Sequence, residues 1–175
     1  MQPNDYFFYL LQKLQWLTSD EWNIASFYNI HQSDYIGNYE YRLQSCIEFI
    51  YRCLKCDLIS CAFEIKEDLF IENQLNIPEN FARKMGELPY YTELNLNKSD
   101  SKLQDMIWEW SYVVATPKLV TISDKCGLNR GVYTVEMIDM SDKKWVQFYV
   151  EINRVFTENS LSWDMKHPLF SIVPT

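Results

Sequence analysis

Four of the five cysteines fall close together, at Cys46, Cys53, Cys56 and Cys61, and the Cys53-x2-Cys56 pair has a spacing that soft metals use. Structural zinc needs four such ligands converging on a tetrahedron, with each CxxC pair offered from a tight turn. Here the pair lies within or at the end of a helical pattern, and no second CxxC follows. Cys46 and Cys53 stand two turns apart along an apolar stripe, the placing of small buried side chains. No metal and no cofactor is expected, and the cysteines read as structural thiols. A thioredoxin-like role would need the CxxC to follow a strand and open a helix. His31 and His167 could each pair with a cysteine as nucleophile and base, but neither carries a local signature. Glu64, Glu67, Asp68 and Glu72 form an acidic run suited to carboxylate acid–base work or to a divalent cation. A solvated acidic edge is the simpler account of it, and a protein-docking edge comes next. There is no glycine-rich phosphate loop, GxSxG or HExxH, so no enzymatic activity is expected.

A second constellation lies in Ser99 to Ala115. Leu103, Met106, Ile107, Trp110, Val113 and Val114 fall on one side of a helix of that length, and Thr116-Pro117 ends it. Asp105, Trp108, Glu109 and Tyr112 recur at steps of three and four on the other side. If that stripe is uncovered it suits protein binding, because Trp and Tyr dominate binding hot spots and the acids would select a basic partner. If the helix is sandwiched between neighbours, the stripe is core.

These groups depend on a central scaffold helix within Asn38 to Cys61. Tyr39, Leu43, Cys46, Ile47, Ile50 and Leu54 line its inner side, with Glu40, Gln44, Glu48, Arg52 and Lys55 turned toward water. Before it, Phe7, Leu10, Leu11, Leu14 and Leu17 predict a first helix. Thr18 and Glu21 then form a capping box for a second, carrying Trp22, Ala25, Phe27, Tyr28 and Ile30. From Cys61 to Ile77 strand and helix compete on equal terms. Pro78 opens a short helix that stops at Gly86, with Asn76 as a cap. Thr116 to Gly127 reads as a capped helix, with a strand through Leu119, Val120 and Ile122 as the alternative. Gly131 to Met140 and Lys144 to Ile152 alternate β-branched and aromatic residues across SDKK, the pattern of a hairpin, and Leu169 to Val173 adds a third short strand. The fold class expected is α+β: a mainly helical part, residues 1–115, packed with a small antiparallel sheet formed by residues 116–175, in one domain spanning 1–175.

At 175 residues and 47% hydrophobic content the chain can bury one core. Neither a secretory signal nor a membrane-spanning run is visible, and free thiols suit a reducing cytoplasm. Net charge is −8, all of it within residues 1–115; the remainder balances. A field of that sign repels nucleic acid and anionic lipid and draws in a basic partner. In size, acidity and lack of catalytic signatures, the chain resembles the immunity proteins that bacteria make against toxin domains of contact-dependent inhibition and related polymorphic toxin systems. That resemblance implies a cytoplasmic, monomeric inhibitor that binds a cognate toxin domain, with a basic nuclease as the type of target. Asp105, Trp108, Glu109 and Tyr112 are the candidate contacts, and Glu64, Glu67, Asp68 and Glu72 form a second patch. A small cytosolic enzyme with an unrecognised carboxylate or Cys–His site, or a self-associating adaptor, are the alternatives.

Overall fold

A computed structural model of the protein describes residues 5–28, 39–62, 68–90, 101–128, 141–170 and 172. In order these form α1 (Asp5–Trp16), β1 (Trp22–Asn23), α2 (Ala25–Tyr28), α3 (Tyr39–Lys55), β2 (Ile59–Ala62), α4 (Asp68–Glu72) and α5 (Pro78–Glu87). After them come α6 (Ser101–Asp105), a π-helical turn (Met106–Trp110), β3 (Tyr112–Ala115), α7 (Pro117–Lys125) and α8 (Lys143–Glu158). The described chain is thus mostly helical, with a three-stranded antiparallel sheet in the order β1-β3-β2. Among the described residues no helix is long and apolar enough to cross a membrane.

The sheet is not where the sequence places it. It is built from residues 22–23, 59–62 and 112–115, and Lys144–Ile152, read as a strand, lies inside α8. Asp142 caps that helix through an Oδ1 that accepts from the Lys144 amide at 2.9 Å, so SDKK opens a helix instead of turning a hairpin. Phe148, Ile152, Val155 and Phe156 bury at helical spacing. A strand would put Val146 and Val150 on one face with Phe148 and Ile152; the helix leaves both valines exposed. Residues 131–140, the other half of the expected hairpin, lie outside the described residues, as does Val173. Leu169, Phe170 and Ile172 belong to no strand.

Ser99–Ala115 does not form one helix either. After α6 the chain widens into the π turn, whose extra residue shifts the phase of the side chains. Trp108 rotates into the core, fully buried, while Trp110 swings outward. Ser111 Oγ donates to the Met106 carbonyl at 2.7 Å and closes the turn, which releases Tyr112 to Ala115 to pair between β1 and β2. The Thr18–Glu21 capping box is absent: Thr18 Oγ1 donates back to the Gln15 carbonyl at 2.8 Å. Asn23 takes over as cap, its Oδ1 accepting from the Ser26 amide at 3.0 Å at the start of α2. Asn76 does not cap α5; Ile77 holds that position without a side-chain bond. Thr116 does cap α7, accepting from the Leu119 amide at 3.4 Å.

α1, α3 and α8 meet in an aromatic core. Phe49 lies edge-on to Phe7 at 5.8 Å and to Phe156 at 6.2 Å, and Trp163 tilts onto Phe7 at 4.6 Å. Truncating a ring so enclosed costs about 3–5 kcal/mol. Four helices, α3, α4, α7 and α8, end alike. One residue takes a left-handed φ, Asp57 (56°), Gln74 (51°), Gly127 (69°) and Ser160 (59°) respectively. The next residue is a leucine whose amide bonds to a carbonyl five positions back: Leu58 to Cys53 at 2.8 Å, Leu75 to Phe70 at 3.0 Å, Leu128 to Ser123 at 3.2 Å and Leu161 to Phe156 at 2.8 Å. Such an ending favours glycine, and here only α7 supplies one.

The outer side of α3 carries the largest departure from expectation. Gln44, Glu48 and Arg52, one turn apart and expected in water, face a covering segment; Glu48 and Arg52 are 0% and 2% exposed. Arg52 Nη1 bonds the Glu48 carboxylate, Nε reaches the Leu161 carbonyl at 2.8 Å and Nη2 the Ser162 carbonyl at 3.2 Å. The other Glu48 oxygen accepts from the Phe170 amide at 2.8 Å. Gln44 donates to the Phe170 carbonyl and accepts from the Ile172 amide at 3.2 Å. The segment from Leu161 to Phe170, with Ile172, is thereby strapped across α3 through hydrogen bonds to its main chain and through the rings of Trp163 and Phe170, which lie against Phe49 and Tyr51.

Candidate protein-binding face

The four residues proposed along one helical stripe are divided by the π turn. Trp108 is core, with its indole N–H donating to the Leu88 carbonyl at 2.7 Å. Asp105 is half-buried at the end of α6. Glu109 and Tyr112 stay together by a different route. Asn23, paired with Tyr112 in the β1–β3 register, directs Nδ2 to the Glu109 carboxylate at 3.4 Å and to its carbonyl at 3.4 Å. The Tyr90 hydroxyl donates to the other Glu109 oxygen at 2.7 Å. A carboxylate held from two sides by hydrogen-bond donors loses its freedom to wander.

Just after Glu109 in the chain, Trp110 and Tyr112 are 42% and 41% exposed. A regular helix would align Trp110 with Leu103, Met106 and Ile107, which are buried; the π turn brings it out. Asp20 and Glu21 lie exposed immediately before β1, which packs on the π turn. The basic residues on α6 and α1 are Lys102 and Lys13. Lys13 is 8% exposed, its Nζ held over the rings of Trp16 at 4.5 Å, Trp22 at 5.0 Å and Tyr9 at 5.4 Å. Burial pushes the Lys13 pKa down to about 8, and the ring faces pull the other way by favouring the cation. The region thus presents two exposed aromatics, a carboxylate held in place, and the exposed Asp20 and Glu21 just before β1.

No protein-family model, curated protein or solved structure matches this chain.

Of the second patch, Glu64 and Glu67 lie outside the described residues. Asp68 and Glu72 are exposed on α4 and flank Ile71, which also faces outward, while Phe70 and Leu75 anchor this stretch inward. The patch is a short helical knob on a different element from the Trp110 face. The thiols are all free; Cys46, Cys53, Cys56 and Cys126 are buried and Cys61 is half-buried. Burial raises all five pKa values, that of Cys61 to about 12, and a thiol so placed does not supply a thiolate near neutral pH. His167 is exposed, its Nδ1 2.8 Å from Asp164, and His31 lies outside the described residues. No group of three or more His, Cys, Asp or Glu side chains suited to a metal ion occurs among the described residues.

Sequence reasoning missed Trp110, Asn23 and Tyr90 as parts of the face, and Gln44, Glu48 and Arg52 as a set covered by the 161–170 segment. For the last three a signal was present. Cys46, Phe49 and Cys53 flank the polar line on one side of α3 and Leu43, Ile47, Ile50 and Leu54 continue the apolar surface on the other, so the helix has little purely solvent surface to offer. Asn23 and Tyr90 lie far from Glu109 in sequence, and no local pattern joins them.

Proposed function

We propose that the chain is a stoichiometric protein-binding inhibitor, an immunity protein that occupies a basic face of a cognate toxin domain, with a nuclease as the target type. The observation that carries this reading is the pair Trp110 and Tyr112, both about two-fifths exposed and close in sequence to Glu109, whose carboxylate is held by Tyr90 and Asn23. Large aromatics on rigid supports give contact area at little entropic cost, which is why they anchor interfaces. The −8 net charge would speed encounter with a basic partner and make that speed depend on salt.

The test uses a basic nuclease toxin domain of the proposed type, with lysozyme as a generic basic control. Binding kinetics are compared for the unaltered protein and for the Trp110→Ala/Tyr112→Ala variant. Loss of both anchors is expected to weaken a specific complex by about 2–4 kcal/mol, mostly through faster dissociation, with lysozyme binding unchanged. Equal affinity of the variant and the unaltered protein for the toxin domain would remove this face as the interface.

A further inference from the structure

We infer that the C-terminal strap, Leu161 to Phe170 with Ile172, is exchangeable between two copies of this chain, so that each α3 can be covered by the strap of its partner. The groove it fills is a reader of main chain. Arg52 takes the carbonyls of Leu161 and Ser162, Glu48 takes the Phe170 amide, and Gln44 pairs with the carbonyl of Phe170 and the amide of Ile172 much as a neighbouring strand would. Two aromatic anchors fix the register: Trp163 against Phe7 and beneath the Arg52 guanidinium at 5.4 Å, and Phe170 against Tyr51 at 4.7 Å. A second copy carries the same segment and would remake every one of these contacts, so exchange loses none of them.

The hinge lies where the strain is. α8 ends at Glu158, and Ser160 sits at a φ of 59°, the left-handed conformation that an L residue with a Cβ disfavours. In an exchanged pair the strap leaves α8 in another direction, and residues 159–160 can continue the helix with negative φ. Relief at one such residue is worth roughly a factor of five, and the two hinges of a dimer together roughly thirty. An intramolecular strap on so short a connection has an effective concentration of roughly 1 mM, which sets the dimer dissociation constant without strain; thirtyfold relief brings it to roughly 30 µM. Opening must expose Glu48 and Arg52 without the strap, so interconversion is slow and a dimer once formed persists after dilution for a time on the order of hours.

The experiment refolds the full chain from urea at about 1 mM and at a hundredfold lower concentration, then measures mass by light scattering after chromatography, at once and after a day of dilution. Ser160→Gly is run in parallel; it relaxes the hinge without touching the strap contacts and should fold at least as well. The expected result is a dimer from the concentrated sample that dissociates slowly, with the glycine variant dimerising roughly thirtyfold more weakly. A chain that stays monomeric at 1 mM overturns the inference. So does a dimer that forms equally in the Ser160→Gly variant or re-equilibrates within seconds, since that dimer would be a surface contact.

Discussion

Replacing Arg52 by methionine keeps the aliphatic stem in place and removes the guanidinium. That group bonds the Glu48 carboxylate and the carbonyls of Glu48, Leu161 and Ser162, and stacks near Trp163. What remains is a carboxylate 0% exposed, with only the Phe170 amide at 2.8 Å and the Gln44 amide at 3.2 Å to satisfy it. Breaking a buried ion pair from one side costs about 3–5 kcal/mol, because the surviving charge loses its partner without regaining water. With a urea m-value of about 2 kcal/mol/M for a chain of this size, the midpoint falls by roughly 2 M. The double variant Glu48→Gln/Arg52→Met leaves a neutral amide whose oxygen can still accept from Phe170. It should therefore be less destabilised than the sum of the two single variants, with a coupling of about 2 kcal/mol. Urea unfolding followed by tryptophan fluorescence reads both quantities. A loss below about 1 kcal/mol for Arg52→Met, or strict additivity in the cycle, would refute the buried, strap-holding role assigned to this pair.

The left-handed helix endings predict that Asp57→Gly and Gln74→Gly each stabilise by about 0.5–1 kcal/mol, and that Gly127→Ala destabilises by about 1 kcal/mol, all measurable as shifts in the urea midpoint. A Cβ at Gly127 would meet nothing nearer than the Lys144 side chain at 3.7 Å, so the cost there is one of backbone conformation. Burial raises all five thiol pKa values, so the unfolded chain releases those protons first as pH increases. Their contribution is fully present below the ordinary thiol pKa of about 8.5 and is lost above it, by up to about 1.4 kcal/mol per pH unit for each thiol. Denaturant titrations at pH 7, 8, 9 and 10 should show that decline, and a stability flat across the range would contradict it. Lys13 runs the other way, with a folded pKa near 8 against an ordinary 10.5. Between those values the unfolded chain binds the extra proton, so this lysine's contribution improves as pH rises. Stability of the unaltered protein minus that of Lys13→Met should climb from pH 8 to 10, and a constant difference would refute the shift.

Which elements were legible in the sequence follows from where their determinants lie. α1, α5 and α7 carry their apolar spacing and their Pro or Thr start signals within a dozen residues, and each forms close to where those signals put it. α8 reads as a strand in sequence because Val146, Phe148, Val150 and Ile152 satisfy period two, while Phe148, Ile152 and Phe156 satisfy the helical period. Extending the window past Ile152 and weighing Asp142 as a cap decides between them. The sheet was invisible for another reason. Its strands are two to four residues long and pair positions that are tens of residues apart, so nothing local marks Tyr112 to Ala115 as different from the helical turn before it. The same non-locality hid the face and the strap: Asn23 and Tyr90 determine where Glu109 points, and residues 161–172 determine that Glu48 and Arg52 are dry.

The most direct measurement is the association rate of this chain with a basic nuclease toxin domain of the proposed type, taken at 20, 150 and 500 mM salt for the unaltered protein and for Trp110→Ala/Tyr112→Ala. An acidic face with aromatic anchors predicts one-to-one binding whose rate falls steeply with salt, together with much faster dissociation of the double variant. Failure to bind at the lowest salt, or binding with the same rates in both proteins, would contradict it.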